Sequence, residues 1–356
     1  MDAEGERQWN SLIVPSVQEL VKDKNITTVP PRYVRSDQDK VEIVDDSGIG
    51  LEIPVINMKS LCSTTTMNSE LAKLDFACKE WGFFQLVNHG IEPYFLDNLK
   101  AEIQDFFNFP TEEKKKFWQR SGEIEGFGQV FVVSEDQKLD WGDSFFLTTQ
   151  PVRLRKPSLL PKLPIPLRDL LDTYSTEVKN LTKILLAKMA IALKIKPEEI
   201  EDWFEDLWQS IRMNYYPPCP EPDKVIGLTH HSDVVALTIL LQMNEVEGLQ
   251  IKKDGKWVPI KPLPNALVVN VGDSLEIITN GIYRSIEHRA MVNTEKERIS
   301  VAVFHSPGLD TRFGPTKSLV ERLNNAFFKS VNTEEYFNIY FARELNGKSH
   351  LDLFRI

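Results

Sequence analysis

Apolar and polar residues follow two different patterns along this chain, and the change comes near residue 211. Before it, apolar residues recur at a helical period over residues 69–81, 93–107 and 166–194, which predicts three helices. After it, short alternating runs are separated by turn residues, which predicts closely spaced strands. The eight predicted strands cover residues 211–216, 225–230, 235–242, 248–252, 256–259, 266–270, 282–288 and 298–305.

Eight such strands predict a jelly roll, in which two sheets pack face to face. The helix over 166–194 has a long apolar side and is expected to back a sheet. The predicted fold class is therefore α+β, with a double-stranded β-helix (jelly-roll) core and flanking helices. We expect four regions: an N-terminal extension 1–50, an N-terminal region with helices 51–205, the jelly-roll core 206–310 and a C-terminal helical tail 311–356.

Further elements are expected outside the core. Pro54 places a strand over 51–56 at a sheet edge or at a strand start. Gly82 is expected to end the helix before it and to precede a strand over 83–87. The three lysines at 114–116 are predicted to lie on a solvated helix face. The remaining predictions are strands over 126–133 and 141–147, helices over 14–21, 197–204 and 333–344, and loops over 36–50 and 151–164.

Composition limits the possible classes of function. The 356 residues are 42% apolar, which is ample for a buried core, and their net charge of −10 does not favour nucleic-acid binding. Three scattered cysteines match neither a disulfide framework nor a zinc site. The sequence predicts no signal peptide and no membrane span. We therefore expect a cytoplasmic protein that has neither nucleic acid nor membrane as a partner.

Two histidines and one aspartate are the candidate metal ligands. His231 and Asp233 are two residues apart, so their side chains share a face if the chain is extended there. His288 must come from another strand, because no local spacing brings it close. Two histidines and a carboxylate form the facial triad that suits non-haem Fe(II) with open coordination positions. A histidine and an aspartate at this spacing also occur by chance, and His231 alone would more often be a core histidine.

An arginine follows the third candidate ligand. Arg298 can grip a carboxylate with two parallel hydrogen bonds, and Ser300 lies two residues further along the same predicted strand. An open iron site beside a carboxylate clamp suggests an enzyme that chelates a 2-oxo acid. A zinc or manganese site in the same fold is the weaker alternative, since the clamp would then have no role.

Longer motifs carry a resemblance to a known family. The sequence Asn-Tyr-Tyr-Pro-Pro-Cys-Pro over 214–220 precedes the candidate ligands and the clamp, and Ala-Cys-Lys-Glu-Trp-Gly-Phe-Phe-Gln-Leu-Val-Asn-His-Gly covers 77–90. From about Val14 to the C-terminus, the chain resembles plant 2-oxoglutarate- and Fe(II)-dependent dioxygenases. Within that family it is similar to the branch of senescence-related-gene proteins and morphinan (codeine and thebaine) O-demethylases.

The resemblance implies a set of roles. His231, Asp233 and His288 would hold Fe(II), and Arg298 with Ser300 would bind the 5-carboxylate of 2-oxoglutarate. Family members use O2 to convert 2-oxoglutarate to succinate and CO2 while they oxidise an unactivated C–H bond, with ascorbate as reductant. The outcome is hydroxylation, O-demethylation or desaturation, and the sequence does not decide among them. Two further residues, Asn214 and Tyr216, match family positions near the co-substrate.

A substrate pocket is expected beside the metal. The candidates are Phe304, Phe146, Ser144 and Phe131, because aromatic walls suit a flat or greasy substrate. The alternative is that the aromatic residues simply fill the core. Arg212 has two open interpretations, contact with the co-substrate or contact with the substrate. Four other residues are expected to lie outside the site, namely Tyr215 in the core and His89, His230 and His305 as non-ligands.

Several alternatives stay open at this level. The preferred substrate is a plant specialised metabolite such as an alkaloid, phenylpropanoid, flavonoid or glucosinolate, and a plant hormone is the alternative. A non-catalytic binding protein of the same fold is a different class of function. It is disfavoured because all three candidate ligands and both clamp residues are present. By resemblance, the protein is expected to be a monomer.

Overall fold

A computed structural model describes residues 11–22, 26–35 and 52–356 of the chain. The predicted loop over 36–50 lies outside the described residues, as do the first ten positions of the predicted N-terminal extension. Ten α-helices are described: α1 Val17–Leu20, α2 Met58–Leu61, α3 Met67–Phe76, α4 Pro93–Asn108, α5 Thr111–Lys114, α6 Ile165–Ala192, α7 Glu198–Glu201, α8 Asp273–Ile278, α9 Lys317–Leu323 and α10 Thr333–Phe341.

Fourteen strands are described in the same residues, and most are short. They are β1 Val55–Asn57, β2 Phe83–Val87, β3 Gly126–Gly128, β4 Asp143–Gln150, β5 Trp208–Tyr216, β6 Leu228–His231, β7 Leu237–Gln242, β8 Leu249–Lys253, β9 Lys256–Pro259, β10 Leu267–Val271, β11 His288–Ala290, β12 Arg298–Ser306, β13 Arg312–Phe313 and β14 Val331–Asn332.

Strands β5 to β12 form the predicted jelly roll. Four of them, β6, β11, β8 and β9, make one sheet in that order. The other four, in the order β10-β7-β12-β5, are the centre of a larger sheet. That sheet is extended by β2 and β1 at one side and by β4 and β3 at the other, so the region before residue 205 contributes strands to the same layer. The predicted α+β jelly-roll fold is confirmed.

The long helices are also where the apolar period predicts them. Helix α6 packs against β4, β5 and β12 and buries its apolar side, including Tyr174 and Leu185. Helix α3 continues into a π-helical turn, Ala77–Trp81, and Gly82 ends it at a φ of 61°. A Cβ there would also meet the Arg284 carbonyl oxygen at 2.3 Å, so only glycine fits. Among the described residues, no helix is both long and apolar enough to cross a membrane.

Some strand predictions were wrong in their extent, including the one over 51–56, where the strand is Val55–Asn57. Of residues 126–133, only β3 is a strand, because the chain leaves the sheet and reaches a φ of 71° at Phe131. Of residues 282–288, only His288 is in a strand. Helix α8, which begins directly after Gly272, was missed by the sequence analysis. Its short apolar run shows no period that separates a helix from a strand.

The prediction for the three lysines was right for two of them. Lys115 and Lys116 are exposed, whereas the side chain of Lys114 is only 1% exposed. Its Nζ donates to the Phe107 carbonyl oxygen at 3.1 Å and to the Gln18 side chain. Burial lowers the pKa of Lys114, and the charge of Glu19 opposes that effect. Contact with α1, far away in sequence, explains why the local pattern failed.

A buried histidine makes the stability of the fold sensitive to acid. Burial lowers the pKa of His305 from 6.5 to about 3, and its Nε2 lies 2.9 Å from the Gln209 amide nitrogen. The folded-state pKa lies below the unfolded-state value, so the stabilisation is complete above pH 6.5 and is lost as the pH falls towards 3. When the pH falls from 7 to 5, the free energy of unfolding of the wild type should decrease by about 2 kcal/mol more than that of His305→Gln. Urea titrations at both pH values measure this, and parallel losses would contradict it.

Candidate active site

Pairing of β6 with β11 brings the two candidate histidine ligands together. His231 is the last residue of β6 and His288 the first of β11, and they are directly opposite each other in the antiparallel register. Their ring centroids are 4.4 Å apart. The prediction that His288 reaches the site from a separate strand is therefore confirmed.

Asp233 is positioned by tertiary contacts and not by strand geometry. Strand β6 ends at His231, so Asp233 lies beyond the strand and outside its pairing with β11. The carbonyl oxygen of Asp233 accepts from the Asp273 N–H at 2.7 Å. Its Oδ2 accepts from Thr238 Oγ1 at 2.6 Å and from Asn270 Nδ2 at 2.7 Å. These donors occupy one carboxylate oxygen and leave Oδ1 facing the histidines.

The three side chains converge on one point. Asp233 Oδ1 lies 3.4 Å from His231 Nε2 and 3.7 Å from His288 Nε2. The opposite ring nitrogens, Nδ1, lie 2.7 Å from the Thr229 carbonyl oxygen and 3.2 Å from that of Ile286. A carbonyl can only accept, so each Nδ1 carries the proton and each Nε2 lone pair is free for a metal. One ligand atom from each residue lies within 4.8 Å of the others, which fits a single ion.

The ionisation states also fit metal binding. Burial disfavours the charged form of Asp233, but the neighbouring imidazoles of His288 and His231 and the hydrogen bond from Thr238 outweigh this effect and hold its pKa well below the usual range. Burial lowers the pKa of His288 to about 4. An ionised carboxylate and a neutral imidazole are the forms that bind a metal.

Thr238 and Asn270 were missed by the sequence analysis, and Thr238 offers a direct test. We expect Thr238→Val to weaken Fe(II) binding about 10- to 100-fold, because the carboxylate loses a bond that fixes its orientation. Competition with a coloured Fe(II) chelator measures the affinity. Thr182→Val is the matched control, since this buried hydroxyl has no hydrogen-bond partner among the described residues. Equal iron affinity in the two variants would contradict the role of Thr238.

The register of β5 with β12 builds a second group of side chains beside the triad. Arg298 lies opposite Tyr216, and Ser300 lies opposite Asn214. These four residues line a cavity that Asp233 and His288 also line. Asn214 Nδ2 donates to Ser300 Oγ at 3.3 Å. The predicted co-substrate residues are thus on one wall next to the candidate metal ligands.

Arg298 is buried in that wall without an acidic partner. It is 3% exposed, and no carboxylate of the described residues lies within ion-pair distance of its guanidinium. Its Nη2 donates to Gln242 Oε1 at 3.4 Å, and its Cζ is 5.4 Å from the Tyr216 ring centroid. Burial lowers its pKa, yet a guanidinium stays charged in proteins. A Cβ at Gly248 would lie 2.7 Å from Arg298 Cδ, so a glycine is needed there to admit the side chain.

A second cavity, lined mostly by aromatic and apolar side chains, lies beside His231 and Asp233. Among the predicted pocket residues, Phe131, Phe146, Phe304 and Arg212 line it. Ser144 lines neither of the two cavities, because its hydroxyl donates to the Gly128 carbonyl oxygen at 3.0 Å. The other lining residues are Val130, Trp208, Ser210, His231, Asp233, Val234, Val235, Phe337, Tyr340 and Phe341.

Helix α10 closes the aromatic cavity, which was not foreseen. Phe341 stacks on Phe131 with ring centroids 5.6 Å apart and an interplanar angle of 10°. Tyr340 meets the same Phe131 ring edge-on at 5.2 Å. The tail was predicted to be helical, but its aromatic side chains were not assigned to the pocket. The two cavities share only three lining residues, Asp233, Arg212 and Phe304, so they meet beside the metal ligands.

The tail also braces the strand that carries the first ligand. Gly347 forms a parallel bridge with His231. Its carbonyl oxygen accepts from the Ser232 N–H at 3.1 Å, and its N–H donates to the His230 carbonyl oxygen at 3.2 Å. Next to it, Lys348 Nζ donates to Glu276 Oε2 at 2.7 Å and anchors the segment.

The three histidines expected to be non-ligands, and Tyr215, lie where the sequence analysis expects them. Neither His89, His230 nor His305 belongs to the cluster of three ligands. His89 Nε2 contacts the Asn265 carbonyl oxygen at 3.2 Å, and His230 Nδ1 lies 3.5 Å from Glu287 Oε2. Tyr215 is buried in the core and its hydroxyl donates to Glu297.

The sequence matches two protein-family models. The one described as the 2OG-Fe(II) oxygenase superfamily matches residues 207–307. The one described as the N-terminal region of non-haem dioxygenases in morphine synthesis matches residues 53–163. The first range contains the three candidate metal ligands and the four predicted co-substrate residues.

Whole-chain similarities extend these matches. Protein SRG1 of Arabidopsis thaliana is 68% identical over 100% of both chains. Thebaine 6-O-demethylase of Papaver somniferum is 50% identical over 98% of this chain and 97% of its own. The crystal structure of JOX2 in complex with 2OG, Fe, and JA has a TM-score of 0.88 and 32% identity, covering 98% of this chain and 99% of that chain.

Proposed function

Because the chain belongs to the 2OG-Fe(II) oxygenase superfamily, we propose that it oxidises a small plant specialised metabolite at an unactivated C–H bond. The family resemblance drawn from the motifs is confirmed, and the chain is an oxidoreductase that uses Fe(II), O2 and 2-oxoglutarate. The proposal for its substrate rests on one observation. An apolar aromatic cavity and a polar, arginine-lined cavity meet at Asp233.

The residue roles follow from the geometry. His231, Asp233 and His288 would hold Fe(II), and the donor set, the proton positions and the spacing of the ligand atoms fit that ion. The bound metal supplies the redox chemistry by which O2 and 2-oxoglutarate, converted to succinate and CO2, oxidise the C–H bond. Ascorbate would keep the iron reduced between turnovers.

The polar cavity is the proposed site of 2-oxoglutarate. Arg298 lacks an acidic partner and would take the 5-carboxylate in a forked hydrogen bond, with Ser300 adding its hydroxyl. Asn214 orients the Ser300 hydroxyl, and Tyr216 packs beside the guanidinium. The co-substrate would thus reach the metal from one side while the aromatic cavity is left for the substrate.

The aromatic cavity supports a flat apolar substrate, held by Phe131, Phe146 and Phe304. Among the three possible outcomes, O-demethylation is favoured, because a relative at 50% identity is named a 6-O-demethylase. A hormone-type substrate is the second candidate, and the solved JOX2 complex with JA is the observation in its favour.

We further propose that the protein acts as a monomer in the cytoplasm, without nucleic acid or membrane as a partner. The net charge of −10 and the scattered cysteines support this environment. The four regions expected from the sequence remain our proposed division of the chain, with the catalytic residues in 206–310.

Succinate formation tests the proposed function. Protein loaded anaerobically with Fe(II) would receive O2, 2-oxoglutarate and a panel of methoxylated and unmethoxylated plant metabolites. We expect succinate to rise with one class of compound and formaldehyde to appear with it, since a hydroxylated methyl ether collapses to formaldehyde and a free hydroxyl. Succinate without formaldehyde would assign hydroxylation or desaturation instead. No substrate-dependent succinate across the panel, with 2-oxoglutarate bound, would contradict the proposed substrate class.

A further inference from the structure

Arg212 is a buried cation without an anionic partner in the part of the chain that the structure describes. It is 8% exposed, and no carboxylate there lies within ion-pair distance of its guanidinium. Its Nε is fully buried and has no hydrogen-bond acceptor among the described residues. Its Cζ lies 5.4 Å from the Phe304 ring centroid, and this contact with a ring face does not use the N–H donors of the guanidinium. Burying a charge without a partner is costly, so a ligand is the natural source of the missing anion.

Two other arginines that are buried or half-buried have partners within the protein. Arg35 Nη2 lies 2.6 Å from Asp140 Oδ1. Arg289, which also lines the co-substrate cavity, donates to Gln250 at 2.8 Å and stacks at 4.2 Å on Trp257. Arg212 and Arg298 are the exceptions among the arginines that line the two cavities.

The register separates Arg212 from the proposed co-substrate clamp. Arg298 lies opposite Tyr216, whereas Arg212 lies opposite Ala302, four residues further along β12. At the rise of a strand, the two positions are about 13 Å apart along the sheet. Arg298 lines only the polar cavity, and Arg212 lines both cavities, at the point where they meet. The guanidinium of Arg298 therefore lies in the polar cavity, whereas that of Arg212 lies where the polar and aromatic cavities meet.

Charge balance points in the same direction. In the proposed complex, the two positive charges of the metal and that of Arg298 are balanced by the Asp233 carboxylate and by the two carboxylates of 2-oxoglutarate. The two histidine ligands donate through neutral rings. This sum leaves out Arg289, which lines only the polar cavity and contacts Gln250 and Trp257. In the aromatic cavity Arg212 is the one cation among the lining residues, and the metal ligand Asp233 is the one carboxylate. One negative charge on the substrate would complete the site.

We propose that Arg212 binds an anionic oxygen of the substrate, an ionised phenol or a carboxylate, carried on a flat apolar ring system. The inference rests on the proposed function and narrows its substrate class. The ring system would lie between Phe146 and Phe304 on one side and Phe341 on the other. The fork of Arg212 then fixes which edge of the substrate enters first, and so which carbon faces the metal. Arg212 is a specificity-determining residue in this arrangement.

Two pairs of probes, each with one member that can carry a negative charge and one neutral member, test the inference. The first pair is 2-naphthoate and its neutral isostere 2-naphthamide, and the second is 7-hydroxyflavone and its 7-methyl ether. Each is titrated calorimetrically into anaerobic protein that holds Fe(II) and 2-oxoglutarate. We expect the wild type to bind the anionic member at least tenfold more tightly than the neutral one. Preference within the first pair assigns a carboxylate, and preference within the second, growing as the phenol ionises, assigns a phenolate.

Three variants separate the role of the charge from that of packing. Arg212→Gln is expected to abolish the preference for the anionic probe and to change the dissociation constant of 2-oxoglutarate less than twofold. Arg212→Lys keeps the charge but loses the fork, and should retain part of the preference. Arg168→Gln removes an exposed arginine on α6 and should behave as the wild type.

Other results would overturn the inference. Equal binding of charged and neutral probes by the wild type, or binding of neither pair, would exclude a flat anionic substrate. Weaker 2-oxoglutarate binding in Arg212→Gln, with probe preference unchanged, would assign Arg212 to the co-substrate. In all these cases 2-oxoglutarate still binds the wild type and the proposed function stands. Failure of the wild type to bind 2-oxoglutarate at all would overturn both proposals.

Discussion

Replacing Asp233 with alanine is expected to abolish succinate formation, with kcat/KM falling by more than about 100-fold, the most that loss of an outer-sphere partner usually costs. The substitution removes the only carboxylate of the cluster and the atom that lies 3.4 and 3.7 Å from the two histidine Nε2 atoms. Two neutral histidines remain, and they neither neutralise the ion nor complete a facial triad. Iron content after gel filtration and succinate yield are the two measurements.

Asp233→Asn separates loss of the metal from loss of the fold. The alanine variant leaves the Thr238 and Asn270 donors without an acceptor, which costs about 1–3 kcal/mol for each buried group. The asparagine variant keeps an acceptor oxygen for these donors and should unfold closer to the wild-type midpoint. Both variants are expected to lose iron. Wild-type iron content and turnover in the alanine variant would exclude Asp233 as a ligand.

Replacing Arg298 with glutamine is expected to raise the dissociation constant of 2-oxoglutarate about 10- to 100-fold, which corresponds to the 1.5–3 kcal/mol of a hydrogen bond to a charged group. The guanidinium is buried and lacks an acidic partner among the described residues, so the 5-carboxylate would supply its counter-charge. At saturating 2-oxoglutarate, kcat should change much less than KM, because the residue binds the end of the co-substrate that does not react.

A co-substrate analogue makes this second test specific. 2-Oxopentanoate has the same chain length as 2-oxoglutarate but lacks the distal carboxylate. The wild type should discriminate strongly between the two, and Arg298→Gln should lose most of that discrimination. Arg298→Lys should lie between them, since Lys offers a point charge instead of a fork. Full discrimination in the glutamine variant would remove the clamp role from Arg298.

The parts of the fold and site that the sequence predicted are those carried by strong periods and by spacing. The eight core strands and α6 have long or repeated patterns, and the turn residues between the strands support each strand prediction. The pair Arg298 and Ser300 shares a face because its strand is regular, and the register of β12 with β5 bears this out. His231 and Asp233 converge as expected, but hydrogen bonds to the Asp233 carboxylate, and not strand geometry, position it.

The parts that were missed depend on contacts between distant segments. Asn270 reaches Asp233 across 37 residues, and no local pattern marks it as a partner. Phe131 enters the cavity because a φ of 71° turns its side chain towards α10, which an alternating pattern does not reveal. Tyr340 and Phe341 lie at ordinary helical spacing, where core packing is the usual meaning of aromatic residues.

The bridge between Gly347 and His231 can form only late in the synthesis of the chain. Translation runs from the N-terminus, so all three metal ligands leave the ribosome well before residue 347 does. Until then, the strand that carries His231 lacks its bridge to Gly347. A stop codon or frameshift after Phe341 but before Gly347 would therefore yield a chain with every ligand and with α10. Such a product would have the wall that α10 gives to the aromatic cavity, but no bridge from the tail to the first ligand.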